Sequence, residues 1–190
     1  MAAYSFDTVI DRRNTNSLKY DFAAEHGLPE DVLPLWVADM DFPAPEPVLQ
    51  ALRRAVDHGI FGYSNTKGDY YEAVSGWFRE RFGWRTQPEW MVKTPGVVFA
   101  LAAAVRALTA PGDAILVQPP VYYPFFSVIR DNQRQVVENR LVYTDGRYEI
   151  DFADFERKIA ESHVKMFFLC SPHNPVGRVW TAEELEKENV

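Results

Sequence analysis

The stretch that decides the fold is MFFLCSPHNPVG, residues 166–177. The run MFFLC (166–170) is continuously apolar, as is typical of a strand in the middle of a parallel sheet. Two flanking prolines fix the orientation of Asn174, whose amide can donate to an anionic oxygen at the carboxyl end of that strand. Ligands of open α/β sheets bind outside the carboxyl ends of the strands, so the loops after the strands are the expected location of a site.

Upstream of this stretch, short apolar strands alternate with helices, which predicts an α/β fold. We predict strands over 90–93, 114–118 and 135–142, and helices over 47–58, 69–82, 97–110 and from about 124 to 132. The helix over 97–110, VVFALAAAVRALTA, is apolar on all sides, which predicts that it is buried. Asp151 is a predicted N-cap for a further helix, and Thr181 with Glu184 forms a predicted capping box.

Composition and charge exclude several classes of protein. The 190 residues include 20 Lys+Arg and 27 Asp+Glu, a formal net charge of -7 that disfavours nucleic-acid and anionic membrane partners. The sequence contains no signal-peptide core and no apolar run long enough to span a bilayer. The single cysteine, Cys170, fits a reducing cytoplasm, and we expect it to act as a small core residue. The four histidines share no metal-ligand spacing, so no metal site is expected.

Two other strand-end loops carry candidate binding residues. In Thr94-Pro95-Gly96, the N–H groups of Gly96, Val97 and Val98 lie at the positive end of a predicted helix, an arrangement that binds phosphate. Taken alone, such a junction is more often only a tight turn. The second loop, PPVYYPF (119–125), places two tyrosines between prolines as an aromatic wall that can stack on a flat heterocycle or simply cover the sheet edge.

Taken together, the three loops resemble the cofactor cleft of fold type I pyridoxal-phosphate enzymes, the aminotransferase class I/II superfamily. The segments DTVIDRRNTNSLKYD (7–21), LPLWVADMDFPAP (33–45), HGIFGYS (58–64) and LCSPHNPVGRVW (169–180) are similar, in the same order, to motifs of the MalY/PatB group of carbon–sulfur β-lyases, the cystathionine β-lyase type. The resemblance covers essentially the whole chain. It implies a truncated α/β fold with a mostly parallel sheet and helices on both faces.

The resemblance also implies a domain division and a role for individual residues. Residues 1–60 would form an N-terminal segment and the start of a small domain, and residues 61–190 an incomplete large cofactor-binding domain. The backbone of Gly96, Val97 and Val98 would hold the phosphate of pyridoxal 5'-phosphate. The ring of Tyr122 would stack on its pyridine ring, and the amide of Asn174 would donate to its phenolate oxygen. The Asn174–Pro175 peptide is a candidate cis bond.

Other implied roles concern the substrate and a partner subunit. Tyr63 would cross the interface of a homodimer to reach the partner's phosphate, and Trp36, Val37 and Ala38 would line the substrate side. The Schiff-base lysine of the family is expected beyond the chain end, so no catalytic residue is assigned and the chain alone is expected to be inactive. His173 is expected near the cleft and exposed.

The expected function is that of the N-terminal part of a cytoplasmic, pyridoxal-phosphate-dependent β-lyase. Its complete form would act on a small sulfur amino acid and release a thiol, pyruvate and ammonia by α,β-elimination. An amino-acid aminotransferase of class I/II is the alternative within enzymes, because both reactions use nearly all the same cofactor contacts. The alternative from another class is a non-catalytic phosphate-binding α/β module.

Overall fold

The structure is a computed structural model of the 190-residue chain, and it describes residues 4–29 and 31–188. The chain divides into two compact units, with the boundary between Lys67 and Gly68.

The first unit consists mainly of irregular chain. It contains a short 3-10 helix, Ala24–His26, and helix α1, Glu46–His58. Helix α1 begins after Pro45 and ends at Gly59, whose φ of 71° is the left-handed conformation that favours glycine at a helix end. The helix predicted over 47–58 is thus confirmed, with Pro47 in its first turn and one further residue, Glu46, at its start.

The second unit holds all the strands that the described residues form. Its helices are α2 Gly68–Phe82, α3 Val97–Leu108, α4 Pro124–Asp131, α5 Phe152–Glu161 and α6 Ala182–Lys187, with a 3-10 turn at Pro88–Trp90. Its strands are β1 Ala114–Val117, β2 Gln135–Glu138, β3 Val142–Thr144, β4 Arg147–Glu149 and β5 Val164–Phe167. Asp151 caps α5 and the Thr181–Glu184 capping box opens α6, both as predicted.

The main sheet is parallel and has the order β2-β1-β5. Strand β1 lies between its two neighbours and all four of its residues are buried. Strand β5 lies at the edge of the described sheet, so the central position predicted for MFFLC is wrong; the shorter AILV of β1 occupies the centre. Strands β3 and β4 form a separate antiparallel hairpin.

Two strand predictions need correction. Residues 90–93 form no strand: the 3-10 turn ends at Trp90, and Val92 is largely exposed with no neighbouring strand among the described residues. The strand predicted over 135–142 ends at Glu138. The chain leaves the sheet there because Leu141 N–H donates to Pro119 O (2.8 Å), and Val142 then pairs with Glu149 instead.

The core lies between the sheet and helices α3 and α4. Its buried members are Val105, Ile115, Val117, Val121, Phe125, Val128, Ile129 and Phe168. The predicted burial of α3 is wrong, because only Val105 of its twelve residues is buried while Val97 is 73% exposed. The helix packs on the sheet through one face, and the described residues leave most of its remaining apolar surface in solvent.

Candidate functional site

The carboxyl ends of β1 and β5 bring two of the predicted loops together. These strands are parallel neighbours, with Leu116 opposite Phe167, so the chain leaves both strands at the same edge of the sheet. The β1 loop carries Tyr122 and the β5 loop carries Asn174. A hydrogen-bond contact between His173 Nε2 and Pro120 O (3.1 Å) joins the two loops directly.

The start of α3 lies toward the same edge. At its other end, Thr109 O accepts a hydrogen bond from Arg134 (2.5 Å), next to the amino end of β2. From there the helix packs back over the sheet through Val105. Twelve helical residues span about 18 Å and four strand residues about 13 Å, so the first turn of α3 reaches the level of the strands' carboxyl ends.

Gly96 shapes the turn that opens α3. Its backbone, at φ 155° and ψ 167°, occupies a region that is essentially restricted to glycine. A Cβ built at this position would meet nothing within 4 Å, so the strain of a substitution would come from the backbone and not from a clash. No side chain of the described residues caps the helix. The N–H groups of its first turn are therefore available to an anion.

Tyr122 and Tyr123 differ in how firmly they are held. Tyr122 is half-buried against the core and meets the ring of Phe125 edge-on, with 5.8 Å between ring centroids. Tyr123 is largely exposed. Of the two tyrosines, Tyr122 is thus the one with a fixed ring, as a stacking role requires.

A tight turn presents Asn174. Gly177 N–H donates to His173 O (2.7 Å), and His173 N–H donates to Arg178 O (2.6 Å), which closes the chain around Asn174-Pro175-Val176-Gly177. The Asn174–Pro175 peptide is cis, as predicted. The Asn174 side chain is exposed and makes no hydrogen bond within the described residues. Its amide is therefore free to donate to a bound group.

The packing behind this turn includes His173 and also Trp180, which the sequence did not single out. His173 is 1% exposed, so the expected exposure of this residue is wrong. Its ring meets Trp180 edge-on at 5.3 Å, and the indole N–H of Trp180 donates to Cys170 O (2.9 Å). Burial lowers the pKa of His173, which keeps the imidazole neutral. The only sequence signal for Trp180 was its position at the end of the segment LCSPHNPVGRVW (169–180).

An ion pair fixes the chain after the turn. Arg178 donates to both carboxylate oxygens of Glu184 (2.7 and 2.6 Å) and to Tyr148 O (2.6 Å), and its guanidinium lies 4.5 Å from the centre of the Trp180 ring. Burial alone would raise the pKa of Glu184, but the hydrogen bonds from Thr181 and Arg178 outweigh it and lower the pKa. The carboxylate therefore stays charged.

The predicted substrate-side residues lie in the first unit. Trp36 and Ala38 are exposed and Val37 is half-buried; the Trp36 ring meets His26 at 4.8 Å. Tyr63, the residue predicted to reach a partner, is fully exposed.

The chain just after Ala38 is tied down by charge. Arg12 and Lys19 both pair with Asp39 and Asp41. Hydrogen bonds from Lys19 and Arg12 lower the pKa of Asp41 to about 2. This network holds the segment that follows residues 36–38 against the N-terminal segment.

Two features are absent from the described ranges, 4–29 and 31–188. These ranges contain no group of three or more His, Cys, Asp or Glu side chains that could hold a metal ion. Nor do they contain a helix with the length and hydropathy needed to cross a bilayer. The polar groups at the sheet edge are instead backbone N–H donors, an aromatic ring and an amide, a set suited to a flat anionic organic molecule.

The family model for aminotransferase class I and II matches residues 30–187, and the chain belongs to this family. Among curated proteins it is 48% identical over 183 residues to cystathionine beta-lyase PatB of Bacillus subtilis, a match that covers 96% of this chain and 47% of PatB. It is 32% identical to the protein MalY of Escherichia coli, again over 96% of this chain and 47% of the relative.

Solved structures show the same relationship. Cystalysin from Treponema denticola, described as containing pyridoxal 5'-phosphate, matches with a TM-score of 0.87 at 40% identity, over 98% of this chain and 48% of cystalysin. A pyridoxal-phosphate-bound C-S lyase from Staphylococcus hominis matches with a TM-score of 0.87 at 37% identity, over 97% and 47%. The predicted fold type I α/β class and the family resemblance are confirmed. The chain spans about half the length of the relatives it matches.

Proposed function

We propose that this chain is part of a pyridoxal-phosphate-dependent carbon–sulfur β-lyase of the cystathionine β-lyase type, and that it binds the cofactor at the carboxyl edge of the sheet. The observation that carries the proposal is the open first turn of α3 behind Gly96, at the same edge as Tyr122 and Asn174. The identity to PatB and the fold shared with pyridoxal-phosphate-bound C-S lyases support it.

The residues present fit this cofactor. The backbone N–H groups of Gly96, Val97 and Val98 would hold the phosphate, since the helix end is positive and lacks a side-chain cap. Tyr122 would stack on the pyridine ring, and the Asn174 amide would donate to the phenolate oxygen. Bound pyridoxal phosphate supplies an electron-withdrawing ring that acidifies the Cα–H of an amino-acid substrate. The contribution of this chain is to bind and orient that ring.

The remaining parts of the proposal concern the substrate, the assembly and the location. The substrate would be a small sulfur amino acid such as cystathionine, cleaved to a thiol, pyruvate and ammonia. Trp36, Val37 and Ala38 would face the substrate, within an N-terminal segment and small-domain part over 1–60, and residues 61–190 would belong to the large domain. Tyr63, fully exposed, would serve a partner subunit of a cytoplasmic homodimer.

Cofactor binding is tested by removing one N–H donor without disturbing the helix. Proline is tolerated at the first helical position, so Val97→Pro deletes the Val97 N–H while α3 persists, and Val97→Ala is the matched control. For a charge-assisted hydrogen bond, we expect Val97→Pro to weaken pyridoxal phosphate binding about 10- to 100-fold. Binding of pyridoxal, which lacks the phosphate, should not change. Equal affinities of the two variants for pyridoxal phosphate would contradict the assignment.

The reaction type is tested on the complete product of the gene, because the 190-residue chain alone is expected to be inactive. Pyruvate released from cystathionine without any added amino acceptor would support the lyase. A strict requirement for a 2-oxo acid would contradict the lyase and favour the aminotransferase.

A further inference from the structure

The His173 imidazole makes a contact between loops that the proposed cofactor contacts do not explain. Its Nε2 lies 3.1 Å from Pro120 O, although the two residues are 53 positions apart. A backbone carbonyl can only accept, so Nε2 carries the proton and donates. Within the described residues this is the only hydrogen bond between segments 119–123 and 170–178.

The same ring leaves its other nitrogen unused. Nδ1 is buried and makes no hydrogen bond of good geometry within the described residues, although the backbone of Gln118 and Cys170 lies close enough to the ring to offset part of the pKa decrease that burial causes. A buried polar atom without a partner is unfavourable, so an apolar ring of similar shape would fill this space at lower cost. Histidine provides a donor at Nε2, and phenylalanine would not.

The orientation of the donor is fixed by the surrounding packing. The Trp180 ring meets the imidazole at an interplanar angle of 80°, and Trp180 is itself held by its hydrogen bond to Cys170 O and by the Arg178 guanidinium over its face. The backbone of His173 is held on both sides, by Gly177 N–H and by Arg178 O. The imidazole is therefore a rigid connection and not a mobile side chain.

We propose that His173 is a positioning residue whose hydrogen bond to Pro120 sets the spacing between Tyr122 and Asn174. Asn174 follows His173 directly, and Tyr122 lies two residues after Pro120, so each end of the bond is next to one of the two groups. The role rests on the proposed function, because Tyr122 would hold the cofactor at its ring face and Asn174 at its phenolate oxygen.

Three substitutions separate a positioning role from a packing role. His173→Gln keeps an N–H donor at about the reach of Nε2, whereas His173→Asn places its amide at about the reach of Nδ1. His173→Phe keeps a ring but has no donor. All three are first compared by thermal unfolding, so that the binding data are taken on folded protein.

The hydrogen bond itself is tested without any cofactor. Long-range ¹H–¹⁵N spectra of the histidine rings should show His173 as the neutral form with the proton on Nε2. A proton on Nδ1, or a ring that averages rapidly between the two forms, would overturn the proposal.

The positioning role is tested by binding of pyridoxal phosphate and of inorganic phosphate. We expect His173→Phe and His173→Asn to weaken pyridoxal phosphate binding about tenfold, the effect of one hydrogen bond, and His173→Gln to remain within about threefold of wild type. Inorganic phosphate binding, which needs only the α3 end, should not change. A packing role would instead make the loss in His173→Gln as large as in His173→Phe.

The outcomes also separate this role from the proposed function. If the wild-type chain does not bind pyridoxal phosphate, the proposed function and the positioning role fail together. If wild type binds and His173→Phe binds equally well, only the positioning role is overturned.

Discussion

Replacing Trp180 with phenylalanine tests how the turn that presents Asn174 is stabilised. Trp180 is 4% exposed, and its indole N–H donates to Cys170 O at 2.9 Å. Phenylalanine retains an aromatic ring but cannot donate. The substitution therefore removes a partly buried hydrogen bond and leaves the Cys170 carbonyl without this donor.

The magnitude follows from two losses. The hydrogen bond is partly buried, and its loss costs about 0.5–1.5 kcal/mol. The smaller ring also gives up packing that the indole makes against His173 and under Arg178, which adds about 1 kcal/mol for the lost apolar contact. The expected decrease in the free energy of unfolding is thus about 1.5–2.5 kcal/mol.

Urea denaturation followed by far-UV circular dichroism measures this decrease. Trp90→Phe is the matched control, because Trp90 is 59% exposed and its indole makes no hydrogen bond among the described residues. We expect the control to change the free energy of unfolding by less than about 0.5 kcal/mol. Equal effects of the two substitutions would refute the reasoning that the indole hydrogen bond holds the turn.

Three further substitutions test the charges and caps. Because Lys19 and Arg12 hold the pKa of Asp41 at about 2, below the value of about 4 in an unfolded chain, the ionised carboxylate contributes stability above pH 4 that is lost as the pH falls toward 2. Asp41→Asn should remove that part of the pH dependence of thermal unfolding. Asp151→Ala, which deletes the cap of α5, should cost about 1 kcal/mol in urea denaturation. Glu184→Gln keeps the capping box but removes the charge facing its arginine, and should cost about 1–2 kcal/mol by the same measurement.

Each of these has a distinct contrary outcome. An unchanged acid profile in Asp41→Asn would mean that the ion pairs of this carboxylate do not contribute to folding. Ser162→Ala, at the other end of α5, is the control for the cap, and equal losses would mean that the Asp151 bond is not the cause. If Glu184→Gln leaves the free energy of unfolding unchanged, the ion pair between Glu184 and Arg178 contributes only its hydrogen bonds.

Local signals in the sequence predicted much of the fold. Helix α1 has Pro47 in its first turn and ends at Gly59, and α6 is opened by Thr181 with Glu184; these residues act within one turn of the chain. Short apolar runs likewise located the three parallel strands, although the bounds predicted for β2 and β5 were not correct. The cis peptide before Pro175 follows from the motif and not from any pattern of hydrophobicity.

The errors arose where a residue's environment depends on distant neighbours. The sequence of α3 is apolar throughout, but apolarity does not say which elements are present to cover it, and most of the helix is exposed in the described chain. His173 appeared to be a loop residue, yet Trp180 and Pro120 enclose it. The expectation for strand 90–93 failed because a strand needs a neighbour, which a window of four residues cannot reveal.

The boundary between the two units has a practical consequence for proteolysis. Lys67 is exposed at the end of the irregular segment 59–67, so trypsin should cut there before it cuts within the sheet. The product beginning at Gly68 would retain Gly96, Tyr122 and Asn174 but not the segment around Trp36. Limited digestion would therefore yield, from a single preparation, a fragment on which cofactor affinity can be measured apart from any influence of the substrate-side segment.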